Sequence, residues 1–155
     1  MRTTVTTGTS TIVLFDPECM SHRLNESADW WSLPKDELLE VNRANAAFLN
    51  VNADGVYELE AVLHDDLAEA DVELVLRNTS GRFFFGAGEM MSSDGLQPEA
   101  EHGNIFIEAQ PGLYLVRAHE RNGKVSASLT PTRRVASNAF HDLLRLGIGT
   151  QKTKT

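Results

Sequence analysis

Apolar positions in this chain recur mainly with a period of two, the spacing of a strand that buries one face. Thr11 to Asp16 is β-branched and apolar, and it predicts a first strand that ends at Pro17. Ala46 to His64 reads as strand, turn, strand: an apolar run, then Asn52-Ala53-Asp54-Gly55, then Tyr57, Leu59, Ala61 and Leu63 alternating against Glu58 and Glu60. Val72 to Arg77 and Arg82 to Ala87, joined by Asn78-Thr79-Ser80-Gly81, predict a further hairpin. Asn104 to Ala109 and Leu113 to Glu120 predict another about Gln110-Pro111-Gly112. A turn at Arg121 to Lys124 then leads into a last strand with Val125, Ala127 and Leu129 on one face.

Helix signals are few. Ser32 to Asn42 has a Ser start, an early proline, acids in its first turn, and Leu38, Leu39 and Val41 on one side, so it predicts a short helix behind the Trp30-Trp31 pair. Ser137 to Leu146 predicts a short closing helix, and residues 88 to 103 an acidic loop. A shift of 57 places aligns Gly55 with Gly112, Tyr57 with Tyr114, Leu59 with Val116 and Ala61 with Ala118. Two like hairpins fit equivalent places in facing sheets. The expected fold is therefore all-β: an antiparallel β-sandwich of about eight strands with one or two short helices. One domain at 11 to 146 is expected, after a flexible N-terminus (1 to 10) and before a disordered tail (147 to 155).

Composition narrows the class. A chain of 155 residues with 41% hydrophobic and 23% charged residues is an ordinary globular domain, not a disordered or disulfide-stapled one. Cys19 is the sole cysteine, so no intrachain disulfide forms, and no segment reaches the length of a membrane span or signal core. The expected compartment is the cytoplasm. Charge is segregated along the chain: residues 1 to 15 carry +1, residues 16 to 108 carry −15 and residues 109 to 155 carry +6, within a net charge of −8. An acidic body repels nucleic acid and steers a basic protein toward it.

Several chemistries fail on their residues. Asn50 to Gly55 has the alternating oxygen ligands and glycine of a calcium loop, but Ala61 stands where the bidentate Glu belongs. His64, Asp66 and His119 sit at strand ends without further ligands at a metal spacing. Cys19 and His22 lack any nucleophile signature, no Gly-x-Ser-x-Gly elbow occurs, and Gly86-Ala87-Gly88 leads into no helix. No catalytic residue, metal or cofactor is expected. What remains is surface: Asp65, Asp66, Glu69, Asp71 and Glu73 on one connection, and Glu89 and Asp94 beside Met90 and Met91 on another, read as an acidic protein-binding rim. A second reading takes Trp30, Trp31 and Tyr57 as a stacking platform for a small ligand or carbohydrate. An unpaired edge strand leaves a homodimer open.

The run Asn45 to Asp65, then Ser80 to Glu89, then Gly103 to Gly123 resembles small bacterial β-sandwich proteins, over roughly residues 11 to 130. Its Asp-Gly-x-Tyr and Pro-Gly-x-Tyr hairpins frame a Ser-Gly-Arg-x-Phe turn. The group is similar to the competence nuclease inhibitor and to immunity proteins that neutralise toxins of competing bacteria. The resemblance, with the charge, implies a non-enzymatic inhibitor that blocks a basic toxin or nuclease.

Overall fold

Two β-sheets face each other in the structure, a computed structural model that describes residues 1–23, 26, 30–64, 67–92, 103–147 and 151–152. The strands are β1 (Arg2–Thr7), β2 (Thr11–Phe15), β3 (Ala46–Asn50), β4 (Gly55–Leu63), β5 (Val72–Asn78), β6 (Arg82–Ala87), β7 (Ile105–Glu108), β8 (Gly112–Arg121), β9 (Lys124–Pro131) and β10 (Gln151–Lys152), with one α-helix, α1 (Pro34–Asn42). A six-stranded sheet runs β1-β4-β9-β8-β5-β10 and a four-stranded sheet runs β3-β2-β6-β7. The expected sandwich is thus present in outline but mixed in direction, because β4 pairs with β9, and β5 with β10, in parallel.

The turns explain the departure. Three of the expected hairpins are corners: β3 and β4, β5 and β6, and β7 and β8 each divide between the two sheets. Only β8 and β9 form a laddered hairpin, about the Arg121–Lys124 turn. At two of the corners, the Tyr57 hydroxyl donates to the Ala53 carbonyl (2.6 Å) and the Tyr114 hydroxyl to the Gln110 carbonyl (2.7 Å). Each tyrosine follows by two places a glycine whose φ, 147° at Gly55 and 150° at Gly112, is open essentially to glycine alone. Alternating hydrophobicity specifies strands; these glycine corners decide which sheet each strand joins.

The registers expose a duplicated unit. In one half β1 pairs with β4 and β2 with β3; in the other β5 pairs with β8 and β6 with β7. Thr7 stands opposite Gly55 as Asn78 stands opposite Gly112, and Leu14 opposite Ala47 as Phe85 opposite Ile105. The halves meet directly at β2 and β6, whereas β9 is inserted between β4 and β8. β9 turns back antiparallel from β8 and runs parallel to β4 on its other side. The like hairpins therefore do not occupy facing sheets; their second strands share the six-stranded sheet.

The expected closing helix is corrected, and two terminal segments contain strand residues. The N-terminal residues expected to be flexible include β1, whose Val5 and Thr7 are buried while Thr4 and Thr6 are exposed. Within the expected disordered tail, Gln151–Lys152 pair with Val72 and Glu73. Residues 137–147 form no helix, because their backbone is bonded elsewhere: the Asn138 N–H donates to the Asn42 carbonyl, the Phe140 N–H to Asn42 Oδ1 and the Leu146 N–H to the Asn50 carbonyl, while the Asn138 side chain accepts from the Val75 N–H and donates to the Val41 and Val75 carbonyls. Tertiary partners outcompete a short helix that is marginal by itself.

The four-stranded sheet is covered on both faces, which is why β2 and most of β3 are buried without alternation. One face meets the other sheet, with Phe83 edge-on to Tyr114. The other carries Phe48, against which Trp30 packs edge-on and Trp31 stacks at 6.0 Å. Both tryptophans are core residues, at 4% and 7% exposure, and they seat α1 against the sheet.

Candidate ligand-binding pocket

α1 turns two carboxylates toward the body of the protein beside Val41 and the half-buried Leu38. Glu37, Glu40 and Val41 are its buried residues, and Leu39 is exposed. Of the expected apolar side Val41 and Leu38 pack inward and Leu39 does not; the acids beside them are buried because both find polar partners inside. Glu40 accepts from Arg23 Nε (2.8 Å) and Asn45 Nδ2 (2.9 Å) and meets the His22 ring. Burial works against its ionised form, but the hydrogen bonds of Asn45, His22 and Arg23 hold its carboxyl below the ordinary value.

Glu37 lines a cavity of about 470 Å³ together with Thr9, Thr11, Trp31, Asn50, Glu89 and Leu143. The cavity lies between α1, the β1–β2 turn and β3, closed on one side by the segment after β9. Asn50 Nδ2 donates to Glu37 Oε2 (3.1 Å) and to the Leu144 carbonyl (3.0 Å), while the Thr11 hydroxyl donates to Asn50 Oδ1 (3.0 Å). Burial pushes the Glu37 carboxyl up to about 7, against the opposing pull of Asn50 and Arg145. Near neutral pH it can thus present a proton donor or an acceptor to whatever fills the cavity.

Across the cavity Glu89 has the opposite character. It accepts from the Thr7 hydroxyl (2.8 Å), the Thr9 hydroxyl (2.6 Å) and the Gly8 N–H (2.9 Å). Burial is outweighed by these bonds, so its carboxyl lies below the ordinary range. Glu89 pins the β1–β2 turn and offers a fixed anionic acceptor at the rim. The arrangement joins an indole wall, a leucine, hydroxyls, an amide and two unlike carboxyl groups, the mixture of apolar lining and few convergent polar groups expected of a small-ligand site.

Of the acidic rim expected on the 64–73 connection, Asp71 and Glu73 are turned inward. Asp71, 3% exposed, takes the N–H groups of Gly147 (2.7 Å) and Glu120 (3.1 Å) and the Arg121 guanidinium (2.9 Å). Glu73, 7% exposed, is bridged by Arg117 (2.9 Å) and Arg134 (3.3 Å). Buried carboxylates need such partners, and here the basic C-terminal part supplies them. Met91 is in the core, Met90 is half-buried and Glu69 is exposed. Asp65, Asp66 and Asp94 lie outside the described residues.

Sequence reasoning missed Glu37, Asn50, Thr9, Thr11 and Leu143, and of its aromatic platform only Trp31 lines the cavity. A usable signal was present: Glu37 and Glu40 share a helix face with Val41, where an apolar run would be expected. Among the described residues no group of three His, Cys, Asp or Glu is placed to hold a metal. No described helix is long and apolar enough to cross a membrane.

Residues 1–146 match the model of a family of unknown function, DUF6386, and the chain belongs to that family. No curated protein matches. The chain is similar in structure to the product of crocagin biosynthetic gene J, with a TM-score of 0.54 and 15% identity over 86% of this chain and 96% of that one. A likeness at that identity concerns the fold.

Proposed function

We propose that this member of the DUF6386 family is a non-enzymatic binding module that takes a small polyhydroxylated ligand, of the carbohydrate class, in the pocket between Trp31 and Glu37. The observation that carries the reading is the Thr11–Asn50–Glu37 hydrogen-bond chain facing Glu89 across a partly apolar cavity. A sugar presents an apolar ring face and several hydroxyls, each able to donate and accept. Trp31 and Leu143 suit the first, and Glu37, Glu89 and the threonines suit the second. A binding role is favoured over glycoside hydrolysis because Glu89 is committed to three donors of the β1–β2 turn, leaving it poorly placed to attack or to activate water. The test is a titration with glucose, maltose and cellobiose followed by NMR. Saturable shifts at Thr11, Trp31 and Asn50 without product formation support the reading, and turnover of the disaccharides would replace it with an enzymatic one.

A second reading, a protein that blocks a basic toxin or nuclease, is favoured by charge. Residues 16 to 108 carry −15, and Glu69 and Glu108 stay exposed after the internal ion pairs are formed. In that case Glu69→Lys should slow association with the partner and flatten its salt dependence. An unchanged association rate would remove Glu69 from the interface.

A further inference from the structure

On the opposite end of α1 from the pocket lies a cleft of about 690 Å³, walled by the 3-10 turn Pro17–Arg23, the helix end at Asn42 and Arg43, Arg77 of β5, Thr79 and Ser137. Its charge runs against the chain's. In a protein of net charge −8, the guanidiniums of Arg2, Arg23, Arg117, Arg121 and Arg134 each meet a carboxylate. Arg43 and Arg77 have no such partner among the described residues, although they share this cleft. Arg77 Nη2 donates to the Arg43 carbonyl (3.3 Å), and Arg77 Nε is buried with no hydrogen-bond partner. An unmet guanidinium N–H is costly, and it marks a place where a further acceptor is wanted.

The surroundings favour an anion. The carboxylates beneath the cleft are already engaged: Asp16 accepts from the N–H groups of Glu18, Thr79 and Ser80, and Glu40 from Arg23 and Asn45. Burial pushes the Cys19 thiol up to about 11, so it adds no negative charge at neutral pH. The C-terminal end of a helix ordinarily repels anions. Here its carbonyls are occupied, Leu39 and Val41 by the N–H groups of Arg43 and Ala44, Glu40 by Asn45, and Asn42 by Asn138. Among the described residues Glu18 is the one carboxylate in the lining, and it is exposed. The Arg77 backbone is held at the base of the cleft, its N–H donating to the Ala44 carbonyl (2.8 Å) and its carbonyl accepting from the Cys19 thiol (3.6 Å).

We propose that this cleft binds a small tetrahedral oxyanion of the phosphate class between Arg43 and Arg77, beside Thr79 and Ser137. Guanidinium forks match such oxyanions bidentately. The test is an NMR titration of the full chain with inorganic phosphate at constant ionic strength, with acetate as a parallel arm. Saturating shifts are expected at the amides of Ser21, Thr79 and Ser137, with binding weakened at least tenfold in Arg43→Gln. Arg43 is exposed, so that variant should keep the fold; Arg77→Met provides a second reading of the same loss. Shifts that fail to saturate, or equal binding by wild type and Arg43→Gln, overturn the site. Tighter binding of acetate than of phosphate overturns the assigned class.

Discussion

Tyr57 and Tyr114 occupy the same place in two copies of one corner, each hydroxyl hydrogen-bonded to the carbonyl four residues upstream. Both tyrosines are buried, at 8% and 2% exposure, while the carbonyls they reach belong to the exposed Ala53 and Gln110. Tyr57→Phe and Tyr114→Phe should each destabilise by about 1 kcal/mol, additively since they lie in separate copies of the unit. Gly112→Ala should cost more, about 1–3 kcal/mol, because the corner holds a φ that a side chain resists. Urea denaturation of the set checks this; a cost near zero for both phenylalanine variants would show that the corners do not depend on the hydroxyls.

Glu37 should make stability fall as pH rises. Its folded carboxyl titrates near 7, above the ordinary 4.5, so the folded state holds an extra proton between those values. Stability from this group is complete below the lower value and is lost as pH climbs through the window. The loss is at most about 3 kcal/mol. Glu37→Gln, which cannot ionise, should match wild type near pH 5 and exceed it by about 2 kcal/mol around pH 8. Parallel denaturation curves at the two pH values would show that Glu37 is not desolvated.

Glu40, one helical turn further on, should act in the opposite sense. Its carboxyl is held below the ordinary value, so its contribution is present above that value and disappears as pH falls through the folded one. Glu40→Ala leaves Arg23, 8% exposed, without its best partner beneath the Trp30 ring, on which its guanidinium rests at 4.3 Å. The expected cost is about 3–5 kcal/mol, read from thermal or urea unfolding. A loss under about 1 kcal/mol would mean that Asp36 and Glu26 suffice to hold the arginine.

Strands were legible because burial leaves a period-two trace, as in β4, where Tyr57, Leu59 and Ala61 face inward. Their partners were less so. A corner at Gly55 and a hairpin at Gly123 use the same turn residues, and only the orientation of the flanking strands separates them. β1 was hidden by its threonines, which suit an edge strand and a loop equally. The candidate site was illegible for a different reason. Glu37 and Asn50 are adjacent only after α1 folds over β3, and Asp71 and Glu73 look like surface until Arg121, Arg117 and Arg134 arrive from β8 and beyond. Charge counted along a chain does not distinguish a free carboxylate from a paired one.

Trp31 walls the proposed ligand pocket, so its fluorescence should report occupancy. Wild type and the Glu37→Gln and Thr11→Val variants would be titrated with glucose, maltose and cellobiose at fixed salt. A saturable change is expected in wild type with at least one sugar, insensitive to added salt and weakened several-fold in Thr11→Val, where the anchor of the Asn50 amide is lost. No saturable change with any of the sugars, or an equal response in wild type and Thr11→Val, would contradict the proposed site.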